Sequence, residues 1–112
     1  MHTRQDLIEA IKPFLVNHEK VLTVWEGGSA ATDHVDNYSD LDVMIVTEKS
    51  EIESMFKEID QFLDETFGIH EKHRIPEPAW HGFSQTFYHL ETTEPWLYVD
   101  LCILPKTLKS KF

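Results

Sequence analysis

Three aspartates carry the most specific chemistry in this chain. Asp40 and Asp42 stand in Ser39-Asp40-Leu41-Asp42, directly ahead of the apolar run Val43-Met44-Ile45-Val46. Side chains alternate along a strand, so Asp40 and Asp42 share one face and Leu41, Val43 and Ile45 the other. Two strand rises separate the carboxylates by roughly 6.6 Å, and at an effective dielectric of about 20 they repel by roughly 2.5 kcal/mol. An isolated Asp-x-Asp would simply solvate a strand end. Here a small-residue turn, Gly27-Gly28-Ser29, follows the apolar run Val21-Leu22-Thr23-Val24-Trp25 and lies shortly upstream. That combination favours a shared cation. The third aspartate, Asp100, interrupts the apolar stretch Trp96 to Leu104. A carboxylate inside so apolar a strand is costly unless paired or coordinated, which is an independent reason to join Asp100 to Asp40 and Asp42.

The pattern resembles the polymerase-beta-type nucleotidyltransferase superfamily. Its motif is a Gly-Ser or Gly-Gly turn, a short spacer, and an acidic-hydrophobic-acidic triplet. Gly28-Ser29 and Asp40-Leu41-Asp42 match it, and Val99-Asp100-Leu101 matches the family's third carboxylate between two hydrophobic residues. The resemblance spans Val21 to Leu104. It departs at Asp33, where many members carry a second glycine. It implies a minimal nucleotidyltransferase domain, similar to the N-terminal domain of the small-molecule or aminoglycoside nucleotidyltransferases. By the same resemblance Asp40, Asp42 and Asp100 would be the catalytic and metal-binding residues, around two Mg²⁺ ions. Mg²⁺ prefers carboxylate and phosphate oxygens and keeps several waters, so two or three aspartates suffice. Gly28 would let the backbone approach the phosphates of ATP or another nucleoside triphosphate, and Ser29 would offer them its hydroxyl and N–H groups.

These residues need a scaffold, and the patterning predicts an α/β domain with a mixed β-sheet flanked by helices. Thr3 and Asp6 read as the cap of a first helix with Leu7, Ile8, Ile11 and Leu15 on its apolar stripe; Pro13 is expected to kink or shorten it. Val21 to Glu26 reads as a strand, Thr32 to Ser39 as a polar loop and Leu41 to Val46 as a second strand. Ser50 to Phe67 is a helix by the spacing of Ile52, Met55, Phe56, Ile59 and Leu63. A capping box of Ser50 and Glu53 is expected at its start and Gly68 at its left-handed end. Ile69 to Ile75 and Phe83 to Leu90 read as strands around a Pro76 to Gly82 loop. Glu91 to Pro95 reads as a turn, and Trp96 to Leu104 as the last strand, with Leu97, Val99, Leu101 and Ile103 on one face and Tyr98, Asp100 and Cys102 on the other. Lys106 to Phe112 is a basic tail.

The 112 residues suit one domain with a single core, residues 1–112. Relatives continue into helices that bind the acceptor, so the chain is expected to be a minimal member or the N-terminal part of a longer protein. A net charge of −10, from ten Lys and Arg against twenty Asp and Glu, offers no basic stripe for a nucleic-acid backbone. It suits divalent ions, cationic small molecules or a basic partner protein. No apolar leader or membrane-spanning run is present, and a lone Cys102 permits no internal disulfide; a cytoplasmic setting is expected, with Cys102 a small buried hydrophobe. Seven histidines are scattered over the chain. His70 and His73 lie three apart, a spacing that pairs residues on a helix but not on a strand, and without a nearby cysteine a structural zinc site is not expected. Trp80 to Phe83 could stack a base, although aromatic packing is its commoner use.

The functional expectation is Mg²⁺-dependent transfer of a nucleoside monophosphate, AMP from ATP, to a hydroxyl of a small molecule such as an aminoglycoside. Two rivals stand beside it. One is an antitoxin-type enzyme that adenylylates a partner protein, and the other a catalytically silent nucleotide-binding or interaction module.

Overall fold

The computed structural model of the protein describes residues 1–27, 40–76 and 83–106. The predicted glycine-serine turn at Gly28 and Ser29, the polar loop Thr32 to Ser39, Trp80 to Gly82 and most of the basic tail lie outside them. In chain order the elements are α1 (Arg4–Val16), β1 (Thr23–Glu26), β2 (Leu41–Thr47), a 3-10 turn (Lys49–Glu51), α2 (Ile52–Phe67), β3 (Ile69–Arg74), β4 (Ser84–Leu90) and β5 (Tyr98–Pro105). The strands form one mixed sheet in the order β1-β2-β5-β4-β3. Only β2 and β5 run parallel; the other three pairings are antiparallel. This is the α/β architecture expected, with two α-helices among the described residues.

Both helices pack on one face of the sheet. The stripe Leu7, Ile11 and Leu15 of α1 joins Met55, Phe56, Ile59 and Leu63 of α2. Together they cover Leu41, Val43 and Ile45 of β2, Tyr88 and Leu90 of β4, and Val99, Leu101 and Ile103 of β5. Phe14 and Phe62 stack with centroids 4.2 Å apart and lock the helices to each other. His18 and Lys20, which follow α1, both reach Glu58 of α2, at 2.8 and 2.7 Å. At the far side of the core the Tyr88 hydroxyl donates to Asp60 of α2 at 2.5 Å. Burial and that carboxylate hold the phenol proton far above its ordinary range. The opposite face of the sheet carries no helix among the described residues. On it Val46, Cys102 and Leu104 form a small apolar cluster with Met44 and Phe83.

Local chemistry explains most boundaries. The Thr3 hydroxyl accepts from the Asp6 N–H, and the Asp6 carboxylate accepts from the Thr3 N–H, the reciprocal cap that the sequence predicts. Pro13 does not stop α1. It stands on the exposed face one turn from the end, its carbonyl accepts from Asn17, and burial of Leu15 holds the last turn against the bond that the ring removes. The cap expected at Ser50 is corrected by the structure. Ser50 lies within the 3-10 turn, α2 begins at Ile52, and no side chain caps it. The Glu53 carboxylate is drawn instead to Arg74 of β3, at 2.9 Å. An Arg–carboxylate pair outcompetes a single backbone N–H. β3 is an edge strand and reads Ile-His-Glu-Lys-His-Arg, a run of charge that discourages pairing with another chain.

Gly68 ends α2 with φ +77° and ψ 132°, a conformation that side chains avoid. A Cβ there would also collide with the Glu91 carboxylate. Gly68→Ala is therefore expected to lower stability by about 1–3 kcal/mol, measurable by urea unfolding; a change below about 0.5 kcal/mol, the ordinary surface range, would refute the strain.

Candidate active site

The strand pairing decides the geometry of the site. β2 and β5 are neighbours, and in their parallel register Asp42 stands directly opposite Asp100. Both lie on the helix-free face, because their neighbours Leu41, Val43, Val99 and Leu101 all point into the core. Asp40 sits just ahead of β2, exposed, and its Oδ1 accepts from the backbone N–H of Tyr98 at 3.2 Å. The first residue of β5 thereby holds Asp40 beside the other two. The structure brings the three predicted aspartates to one end of the β2–β5 pair.

The electrostatics follow from that placement. Burial and the facing Asp100 carboxylate raise the Asp42 pKa from 3.8 to about 6, Asp40 adds to the rise, and Arg4 opposes it. Arg4 is itself buried and forms an ion pair with Glu26 at the end of β1. Asp100 has further partners. Its Oδ1 accepts from Gln85 Nε2 at 2.7 Å, and the Cys102 thiol lies 3.8 Å from the same oxygen. Burial and the two aspartates push the Cys102 thiol up to about 12, so it stays protonated at neutral pH and is no nucleophile. Gln85 has no place in the sequence reading. The alternation of its strand places it with Phe87 and His89 on one face, but only the pairing of β4 with β5 brings it to Asp100.

Gly27, the last described residue before the predicted nucleotide-binding Gly28 and Ser29, donates its N–H to the Asp42 carbonyl at 3.0 Å. A Cβ on Gly27 would come within 3.1 Å of Met44 Cγ, so the close approach of the Gly27 backbone to β2 favours glycine.

The donor set fits a hard divalent cation. The Asp42 and Asp100 carboxylates face each other in register on adjacent strands, and a divalent cation between them would relieve the repulsion that raises the Asp42 pKa. Between pH 3.8 and about 6 folded Asp42 holds a proton that the unfolded chain has released. Its contribution to stability is present below pH 3.8 and is lost as pH rises through about 6. Without divalent ions, the thermal midpoint of the wild type relative to Asp42→Asn should fall across that window, and calorimetry at a series of pH values checks it. Parallel curves for the two proteins would remove the assignment.

A family profile described as "Nucleotidyltransferase domain" matches residues 8–92. The chain belongs to the nucleotidyltransferase domain family. The match includes Asp40 and Asp42 and ends ahead of Asp100, whose place beside them comes from the pairing of β5 with β2. Among solved structures, this nucleotidyltransferase domain is similar to a chain from the "structure of GLD-2/RNP-8 complex", with a TM-score of 0.54 and 16% sequence identity. The superposition covers 89% of this chain but only 37% of that one, so the likeness is one of fold. No curated protein matches the sequence. Among the described residues no helix is long and apolar enough to cross a membrane.

Proposed function

We propose that this nucleotidyltransferase domain moves AMP from ATP to a hydroxyl of a small cationic molecule, such as an aminoglycoside, in a Mg²⁺-dependent reaction. The observation that carries the reading is the in-register pairing of Asp42 with Asp100, with Asp40 held beside them by the Tyr98 N–H. Asp40 and Asp42 would bind the ion that accompanies the triphosphate, and Asp100 would complete a second site. Two such ions, when bound, neutralise the triphosphate and stabilise the attacking and leaving oxygens of an in-line displacement. Asp100 receives the proton of the acceptor hydroxyl, and Gln85 fixes the carboxylate by holding Oδ1. Gly28 and Ser29 would contact the phosphates. A net charge of −10 draws a cationic acceptor and repels a nucleic-acid backbone. Residues 1–112 act as one domain, in the reducing cytoplasm that a single cysteine suits.

A second reading, a protein acceptor, is favoured by one specific feature. A cleft of about 340 Å³ between α1 and the β1–β2 pair is lined by Ile8, Ile11, Leu15, Val24 and Trp25, and Val16 and Trp25 at its rim are exposed. Incubation with α-labelled ATP, Mg²⁺ and either an aminoglycoside panel or cell extract separates the two. Label on a small molecule supports the first reading and label on a protein the second. Binding of ATP and Mg²⁺ by calorimetry without transfer to either would leave a silent module and overturn both.

A further inference from the structure

We propose that His70, Glu71 and His89 form a second metal site, for a zinc-class transition ion, distinct from the aspartate cluster. Successive residues of a regular strand point to opposite faces, so His70 and Glu71 should diverge. They do not, because the pairing of β3 with β4 slips between Ile69 and Glu71: Ile69 pairs with Leu90 and Glu71 with His89, which leaves His70 as an extra residue in a β-bulge. A bulge sets two residues against one and re-aims a side chain. Here it gathers His70, Glu71 and His89 so that one ligand atom from each lies within 4.8 Å of the other two. The two imidazoles meet edge to face, with centroids 5.3 Å apart and planes at 88°.

The chemistry of this set differs from that of the aspartates. Two imidazoles and one carboxylate suit Zn²⁺, Ni²⁺, Co²⁺ or Cu²⁺, whereas an all-oxygen set suits Mg²⁺. A tetrahedral ion with bonds of about 2.0–2.1 Å needs ligand atoms roughly 3.4 Å apart. His70 and Glu71 are exposed, so their side chains have room to turn toward that separation. His89 already has an orienting partner. Its Nε2 lies 3.3 Å from the Glu94 carbonyl, and in the tautomer that donates there Nδ1 carries the lone pair a metal needs. Three protein ligands leave a fourth position open, the arrangement of sites that also bind a water or a substrate group. His89 pairs with Tyr98, the residue whose N–H holds Asp40, so the site borders the aspartate cluster on the same sheet face.

The test is titration of the metal-stripped full chain with ZnCl₂ by calorimetry, with Mg²⁺ in excess to occupy the aspartates. One Zn²⁺ per chain is expected, and His70→Gln and His89→Gln should each weaken it by about tenfold or more. Two variants serve as controls: His73→Gln and Asp42→Asn should bind Zn²⁺ as the wild type does. Metal-free thermal midpoints of the three histidine variants equal to that of the wild type exclude misfolding, and Cu²⁺ in place of Zn²⁺ should show two nitrogen ligands by electron paramagnetic resonance. Wild-type affinity in the His70→Gln/His89→Gln double variant would overturn the site. So would a loss that follows His73 or Asp42 instead, or no zinc binding at all.

Discussion

Asp42→Asn is expected to lower nucleotidyl transfer by about 10³-fold while raising the thermal midpoint of the metal-free protein. The ion it would help hold contributes several kcal/mol of charge stabilisation in the transition state, and each 1.36 kcal/mol is about a factor of ten in rate. The two effects have opposite signs because one charge serves both. Ionised Asp42 faces Asp100 across the parallel pair, and burial adds to the strain that raises its pKa. Asparagine has nearly the same shape, carries no charge, and can donate its amide to Asp100. Removing the charge therefore relaxes the fold and empties the site of a ligand. In the wild type Mg²⁺ should raise the midpoint, and in the variant that response should shrink. Turnover within tenfold of the wild type would dispose of the metal-ligand role, and a lowered midpoint in the metal-free variant would dispose of the strain.

The largest loss of stability should come from Ile45→Ala. Ile45 is 0% exposed at the middle of β2, between β1 and β5 and beneath α1 and α2. Truncation of a fully buried aliphatic side chain costs roughly 2–5 kcal/mol, because a cavity remains where neighbouring strands cannot collapse. For a domain of this length that is a fall of about 10 °C or more in the thermal midpoint. The same strand carries Asp42, so the variant also tests whether the site depends on a rigid β2. Activity should be retained at low temperature, where the fold survives, and vanish on warming before the wild type does. A fall of less than about 3 °C would show that the core repacks around the lost atoms.

Much of the fold was legible because it depends on short-range periodicity. The stripe of α2 at helical spacing, the alternation in β4 and β5 and the reciprocal cap at Thr3 and Asp6 are local properties, and folding keeps them. Where a local signal had a stronger long-range competitor, it lost. Glu53 left the expected cap for Arg74, a residue of β3 that no local reading pairs with it. Pro13 lost its power to end α1 because Leu15, two residues on, is buried.

The candidate site divides the same way. That Asp40 and Asp42 share a face is dictated by the two-residue period of a strand, and that Asp100 needs a partner is dictated by its apolar surroundings. Neither fact specifies the register that sets Asp42 opposite Asp100, nor the Gln85 side chain that fixes one of its oxygens. Those are consequences of which strands become neighbours, and strand order is settled by the whole core rather than by any segment. The histidines mark the limit most clearly. His70 and His89 are far apart in the chain, and one unpaired residue in the β3–β4 ladder turns His70 toward its partner. Sequence supplies the side chains and the local period; the pairing of strands, with its slip between Ile69 and Glu71, decides which of them meet.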